Sequence, residues 1–471
     1  MKASVKGILH KVLYSVSANV TGMLVSIILA LIVPKLMGIE QYGYWQLYSF
    51  YVTYVGFFHF GWADGIYLRY GGKYYDELDK YLMHSQYWLL ASLEILISLG
   101  IALFAIIFIK DSNRTIILIA SGLNCILILP RTVLEFLLQC TGRVKEFARN
   151  TIAERLIYAS LVLVFLFAGY RRFEFMLVAD LVAKIFAMVY IAWICRDIVF
   201  NKGVKVSISI AEGWKNITVG IQLLIANIAG NLIIGIVRFA IEWVWDIATF
   251  GKVSFSLSIS GFILTFIAAV GIVIFPLIKR SDQNKLPLLY ETLGTLLSGA
   301  MIVFLIVYYP TQWLLKLWLP HYGEAIGYFA LLFPLCIFEA RSSLLINTYL
   351  KALRKERAML YLNGMSVGLS LIVTAIVVFW LRNLTLTIIA ITFLQAVRCF
   401  VPDLFLQKTM RMKYSYEVVW DIMATMVFII GNWVVGGLLG WGIYCAFVVC
   451  LLFLRRGEFK IHLETMNRFV H

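Results

Sequence analysis

The chain has 471 residues, of which 62% are hydrophobic and 14% charged, with a formal net charge of +15. A soluble domain carries about 45–50% apolar and about 25% charged residues, so this composition excludes a soluble enzyme or binding module and requires an integral membrane protein. The basic excess would suit a nucleic-acid partner, but its placement along the chain is that of membrane topology.

Backbone groups in hydrocarbon need internal partners, which leaves helices or a closed barrel. Runs such as "LEILISLGIALFAIIFI" lack the period-2 alternation of barrel strands, so the expected fold is all-α. After a basic, amphipathic start, "MKASVKGILHKVLYS", with no cleavable signal evident, hydropathy predicts fourteen helices. In chain order they cover about 15–37, 43–68, 83–109, 115–139, 152–169, 174–195, 215–237, 248–277, 288–309, 326–350, 359–381, 384–407, 417–435 and 438–454. "PTQWLLKLWLPHYGEA", Pro310 to Ala325, reads as a short helix lying in the membrane interface. "GNWVVGGLLGWG" reads either as a turn between the last two helices or as one broken helix.

The seven cysteines are odd in number and sit mostly in apolar runs. No CxxC or HExxH pattern occurs, so neither a disulfide framework, a metal site nor a cofactor is expected. Basic residues concentrate in alternate gaps, about 26 against about 7. The rich set includes Lys2, Lys6, Lys11, Lys73, Arg143, Lys202, Lys279, Arg280, Arg354, Lys413 and Arg455. The positive-inside rule makes those gaps, and both termini, cytoplasmic.

"ANVTG" at Ala18 returns as "ANIAG" at Ala226, and the same offset of 208 residues aligns Gly43 with Gly251. Six spans separate the copies, so the halves would be parallel, related by a pseudo-twofold axis along the membrane normal, with a central cavity between them. The expected division is a six-helix bundle over 1–200, a second over 201–413, and two further helices with a cytoplasmic tail over 414–471.

An ionisable residue at a helix centre costs about 2.5–3.5 kcal/mol on insertion scales, so each one needs a reason. The cations are Arg131, Lys184, Arg341 and Arg398, and the acids include Asp64, Glu94, Glu135, Asp180, Glu339 and Asp403. Arg131–Glu135 and Asp180–Lys184 are spaced i,i+4 and can neutralise each other on one face. Glu339 and Arg341 fall about 200° apart on a helix, and Arg398 and Asp403 about 140° apart. That spacing leaves Arg341 and Arg398 freer to meet an anion.

In "FGWADGIYLRYGG", Asp64 and Arg69 are also about 140° apart, so they form no internal bridge. Arg69 is placed to complement a helix C-terminus ended by Gly71, whereas Asp64 needs a partner on another helix or a proton. Gly61 and Gly65 let a neighbouring backbone approach. Asp64, Glu94, Asp180 and Arg69 are the candidates for coupling or gating, with H⁺ or Na⁺ as the coupling ion. The aromatics around the second helix, among them Trp45, Tyr48 and Tyr54, suit either helix packing or a sugar path. His59 and His84 read as packing or interface residues.

"SANVTGMLVSIILALIVPKLMGIEQYGYWQLYSF" followed by "FHFGWADGIYLRYGGKYYDELD" resembles Wzx-type polysaccharide flippases, of the superfamily that also holds lipid II flippases and multidrug exporters. The resemblance implies a V-shaped fold of two bundles. It also implies transfer of a polyprenyl-diphosphate-linked oligosaccharide, such as an O-antigen unit, from the cytoplasmic to the outer leaflet of the bacterial inner membrane. Carried onto this sequence, it would put the diphosphate on Arg131, Lys184, Arg341 and Arg398. The alternative is a cation-coupled multidrug exporter. An enzyme acting on lipid-linked sugars is disfavoured by the short outer loops and the lack of a nucleophile or phosphate-loop motif. Other membrane proteins of polysaccharide assembly are further candidate partners.

Overall fold

The computed structural model describes residues 20–261, 285–412 and 415–470. Lys2, Lys6, Lys11, Ala18, Lys279, Arg280 and Lys413 lie outside these residues, as do parts of the predicted spans at 15–37 and 248–277. The described residues hold helices and no strands. Ten helices are long and apolar enough to cross a membrane, and one bent pair raises this to eleven. The protein is a polytopic, all-α membrane protein.

The chain forms two compact units, residues 1–228 and 229–471. The first holds α1 (Val20–Leu36), α2 (Ile39–Val55), α3 (Trp62–Tyr70), α4 (Lys80–Phe108), α5 (Ser112–Cys140), α6 (Val144–Phe167), α7 (Phe173–Ile194), the single turn α8 (Arg196–Val199) and the start of α9 (Val206–Val244). Two of these helices, α4 and α5, start on side-chain caps. Asp79 accepts from the Tyr81 and Leu82 amides, and Asp111 does the same for α5. Gly142 and Gly169, both at positive φ, follow the ends of α5 and α6.

α5 packs against α2, α3, α4, α6 and α7, and 56% of its apolar window is buried against 22% for α6. It is therefore the core helix of its unit, and a charge on it must find protein partners. On α4 the side chains of Leu96, Leu99, Leu103, Phe104 and Ile107 are exposed and supply a face for lipid.

The span predicted at 43–68 is two helices. The chain leaves α2 after Val55 and makes a turn through Gly56–Gly61, with Phe60 and Gly61 at positive φ, before α3 begins. Within that break Gly61, Gly65 and Gly220 press backbone on backbone. A Cβ on Gly61 would come 2.6 Å from the Ile221 nitrogen, and one on Gly65 would come 2.8 Å from the Asn216 Cα. The small residues at Gly61 and Gly65 thus admit α9, a partner that local spacing does not identify.

The second unit holds the remainder of α9, then α10 (247–261), α11 (Leu286–Phe304), α12 (Tyr308–Trp318), α13 (Gly323–Leu332), α14 (Leu335–Ala340), α15 (Asn347–Ala352), α16 (Glu356–Thr374), α17 (Leu384–Thr409), α18 (Glu417–Ile429), α19 (Gly437–Leu454) and α20 (Arg456–Val470). A π-helical segment, Arg341–Ile346, joins α14 to α15. The α13–α14 pair bends by 49° around Pro334, whose ring and missing N–H break the helix.

The stretch expected as a separate interfacial helix instead prolongs α11. Residues Leu286–Trp318 form one run of 33 residues through a 3-10 step at Leu305–Val307. At 1.5 Å per residue that is about 50 Å, longer than a hydrocarbon core of about 30 Å. The surplus length puts exposed Trp313 and Trp318 where an indole suits the interface. "GNWVVGGLLGWG" is a turn, with Gly436 and Gly437 both at positive φ between α18 with its π extension and α19. After α19 the chain forms a further helix, α20, whose Phe459 packs onto Gly299 of α11.

Candidate functional site

In the first unit, both i,i+4 pairs are present. Lys184 Nζ on α7 lies 2.6 Å from Asp180 and donates to Asn124 Oδ1 at 2.7 Å. Asn124 in turn donates to the Tyr48 hydroxyl at 2.7 Å, and that hydroxyl donates to Asp180. The four side chains close a ring across α2, α5 and α7. Arg131 lies 3.2 Å from Glu135 and 3.0 Å from Glu154 on α6, and Asn150 donates to Glu135 at 3.1 Å. One cation is therefore shared by two carboxylates.

Arg69 ends α3 as expected, with Gly71 as the capping residue. It also pairs with Glu212 on α9 at 2.7 Å and bonds Asn216. Tyr70 donates to the same Glu212 at 3.0 Å, and Gln86 on α4 ties Trp62 to Asn216 and Ser209. Asp64 finds its neighbour not on another helix but on the turn before α3. His59 Nε2 lies 3.8 Å away, while His59 Nδ1 accepts the Gly61 amide at 3.0 Å. A ring nitrogen that accepts is unprotonated, so the neutral imidazole carries its proton on Nε2, facing Asp64.

Glu94 is different. It is fully buried on α4, and among the described residues neither carboxyl oxygen has a hydrogen-bond partner. Of the aromatics, Tyr42, Tyr44, Trp45, Tyr48 and Phe50 are buried and packed, with Tyr44 5.0 Å from Phe173 and Trp45 bonded to Tyr158. Outside the spans, Tyr75 is clamped between Lys80 and Arg143, 3.4 and 4.4 Å over its ring, and burial pushes its phenol well above the ordinary range.

In the second unit, Arg341 opens the π segment and is 2% exposed. Its Nε donates to Asp421 on α18 at 2.8 Å, its Nη1 lies 3.8 Å from Asp403 on α17, and its Nη2 donates to the Gly294 carbonyl at 3.3 Å. Asp403 also accepts from Tyr290 and Gln407, both at 2.5 Å, and Asp421 accepts from Ser298. Nearby, Arg455 holds Glu417. Arg341, expected to be freer to meet an anion because its own helix offers no partner, is held by two carboxylates from other helices. Helix angles exclude only partners on its own helix, and packing supplies two from others.

Arg398 on α17 is also paired across helices, but loosely. Its Nη1 lies 3.6 Å from Glu339 and donates to Gln395 at 3.4 Å. Glu339 is itself bonded by Gln395. Nε and Nη2 of Arg398 have no acceptor among the described residues, and on Arg131 Nε and Nη1 make no hydrogen bond there either, although they lie at ion-pair distance from Glu135 and Glu154. It borders a small pocket with Ser342, Asn347, Asn363 and Pro402. Glu154, Glu212, Glu417 and Asp421 complete these networks and were not foreseen. Glu154, Glu417 and Asp421 lie inside predicted spans, where counting every ionisable residue would have found them.

Lipid II flippase MurJ, in an inward closed conformation, is similar to this chain with a TM-score of 0.65 at 12% identity, over 96% of this chain and 99% of its own. The chain shares the fold of that structure. An inward-facing multidrug resistance MATE family transporter of the MOP superfamily gives a TM-score of 0.55 at 14% identity, over 89% of this chain and 95% of its own. No family model and no curated protein match the chain. At such identities the likeness is one of fold, and the substrate has to be argued from the site.

Proposed function

We propose that this protein is a flippase. It moves a polyprenyl-diphosphate-linked oligosaccharide from the cytoplasmic to the outer leaflet of the bacterial inner membrane, by alternating access, for surface polysaccharide biosynthesis. Arg398 carries the reading: it is a cation within a spanning helix whose guanidinium has donors unfilled, and planar donor pairs suit phosphate oxygens. The fold shared with a lipid II flippase supports the same class of cargo.

The physics accommodates it. The prenyl tail stays in lipid while the polar head crosses among protein groups. With the inside negative, export of an anion gains about 2.3 kcal/mol per charge per 100 mV. Arg131, Lys184 and Arg341 lie 3.0, 2.6 and 2.8 Å from a carboxylate, so their contact with a diphosphate requires an exchange of partners, whereas Arg398 stands 3.6 Å from Glu339 and makes the first contact. Asp64 with His59, and Glu94, are the groups proposed to carry H⁺ or Na⁺. The basic gaps put both termini in the cytoplasm.

The test is a gene deletion followed by leaflet-resolved detection of lipid-linked oligosaccharide. Cytoplasmic-face accumulation is expected, whereas normal outer-leaflet delivery defeats the proposal. Arg398→Ala should fail to complement while still inserting. Glu94 also favours a second reading, cation-coupled drug export, because an acid without a partner can exchange a proton. Loss of organic-cation resistance in the deletion strain, with glycolipid delivery unchanged, would select that reading.

A further inference from the structure

We propose that Arg155, on α6 of the first unit, contacts the phosphate of a lipid-linked substrate and is seated for that task by Gly22 on α1. The proposal rests on the flippase reading and adds a contact that the four cations above do not include.

Arg155 lies midway along α6 (Val144–Phe167), a helix long and apolar enough to cross a membrane. A guanidinium stays charged at any working pH, so a cation stands at mid-span and needs an anion or water beside it. Each of Arg131, Lys184, Arg341 and Arg398 has a carboxylate at 3.6 Å or less. Arg155 is exposed and, among the described residues, makes no ion pair and no side-chain hydrogen bond. Its sequence neighbour Glu154 is about 100° around the helix and turns to Arg131 at 3.0 Å.

The side chain is nonetheless held in place. Gly22 is buried, and the Arg155 guanidinium fills the space that a side chain at position 22 would take. A Cβ built there would come 3.0 Å from Nε and closer still to Cζ and Nη1. The Gly22 carbonyl accepts from the Ser26 hydroxyl at 2.8 Å, so the seat works by shape and leaves the guanidinium N–H groups open. The same device occurs in the second unit. Gly22 closes the motif "ANVTG" and Gly230 closes its copy "ANIAG". A Cβ on Gly230 would come 2.9 Å from Nη2 of Arg398. In each unit, the repeated glycine gives its side-chain space to the guanidinium of a spanning helix.

A planar fork of unfilled N–H donors matches two oxygens of one phosphate. A metal ion would be repelled, and a neutral sugar would leave the charge uncompensated. Bulk phospholipids carry phosphate too, but at the membrane surface and not at mid-span. The phosphate that reaches this depth is one in transit, on a lipid whose head crosses while its tail stays in the bilayer.

The test measures equilibrium binding of radiolabelled farnesyl diphosphate to the purified full-length protein in detergent, with farnesol and dioleoyl phosphatidylglycerol as competitors. The diphosphate should bind, and neither competitor should displace it at equal concentration. Arg155→Gln removes the charge and should weaken binding at least tenfold. Gly22→Ala keeps the charge but fills the seat, so the flexible guanidinium swings away and affinity should fall several-fold. Added to Arg155→Gln, Gly22→Ala should cost nothing further, because no guanidinium is left to seat. Gly100→Ala, at a position with open space around it, should bind as the wild type does. Thermal midpoints without ligand verify folding, and Gly22→Ala keeps the test decisive if Arg155→Gln does not fold. Wild-type affinity in a folded Arg155→Gln or Gly22→Ala protein overturns the proposal and leaves the flippase reading standing. Displacement by either competitor, additive losses in the double variant, or no binding of the diphosphate also overturns it. The flippase reading is judged separately, by the leaflet assay.

Discussion

Arg341 Nε donates to Asp421 Oδ2 across 2.8 Å, tying the π segment after α14 to α18 with both side chains out of solvent. A charge pair this buried contributes little net stability, yet breaking it strands an ion where nothing solvates it. If Arg341 were free to meet an anion, as its helix spacing allows, Arg341→Ala would impair transport alone. The pair points to a folding defect: Arg341→Ala should lose about 3–5 kcal/mol of stability, seen as a lower thermal midpoint and a smaller monodisperse yield. The apolar double variant Arg341→Met/Asp421→Leu should recover much of it. A fully stable single variant would make the pair dispensable.

The Tyr48–Asp180–Lys184–Asn124 ring predicts coupling. A double-mutant cycle of Asp180→Asn and Lys184→Met should give an interaction energy of about 1–3 kcal/mol in thermal or denaturant unfolding. Tyr48→Phe, which removes one hydroxyl, should cost about 1 kcal/mol. Additive single effects would mean that the ring acts as separate bonds.

The glycine contact between α3 and α9 predicts steric intolerance. A Cβ on Gly220 would lie 2.9 Å from the Gly61 carbonyl carbon, which is backbone and cannot rotate away. Gly220→Ala should therefore lower the yield of folded protein sharply. Gly100→Ala on α4, with nothing within 4 Å, should be neutral or slightly stabilising. Equal yields of the two variants would show that the contact yields easily.

Glu94→Gln keeps the side-chain shape and removes an ionisable group whose burial no hydrogen-bond partner among the described residues offsets. The variant should fold with a thermal midpoint equal to or above that of the wild type. If Glu94 carries the coupling proton, the dependence of transport on an imposed pH gradient should disappear in this variant. An unchanged gradient dependence assigns coupling elsewhere.

Sequence made the helices plain because twenty apolar residues in a row have one stable form in lipid. It also made the i,i+4 pairs Asp180–Lys184 and Arg131–Glu135 plain, because helical geometry alone brings them together. What it could not supply are partners whose proximity is set by packing, such as Glu154 for Arg131, Glu212 for Arg69 and Asp421 for Arg341. The split of the 43–68 stretch had a local signal in Gly56 and Gly61, masked by continuous hydropathy. His59 beside Asp64 had none, since a turn at positive φ, not a helical repeat, brings the two together.

Arg341 leaves the ribosome 80 residues ahead of Asp421. At about 5–20 residues per second, that is an interval of about 4–16 s in which the arginine waits for this counter-ion. During biogenesis the guanidinium must lean on lipid headgroups, the translocon or a chaperone. Nascent chains stalled before α18 should therefore be held poorly in the bilayer and be the first taken by quality-control proteases.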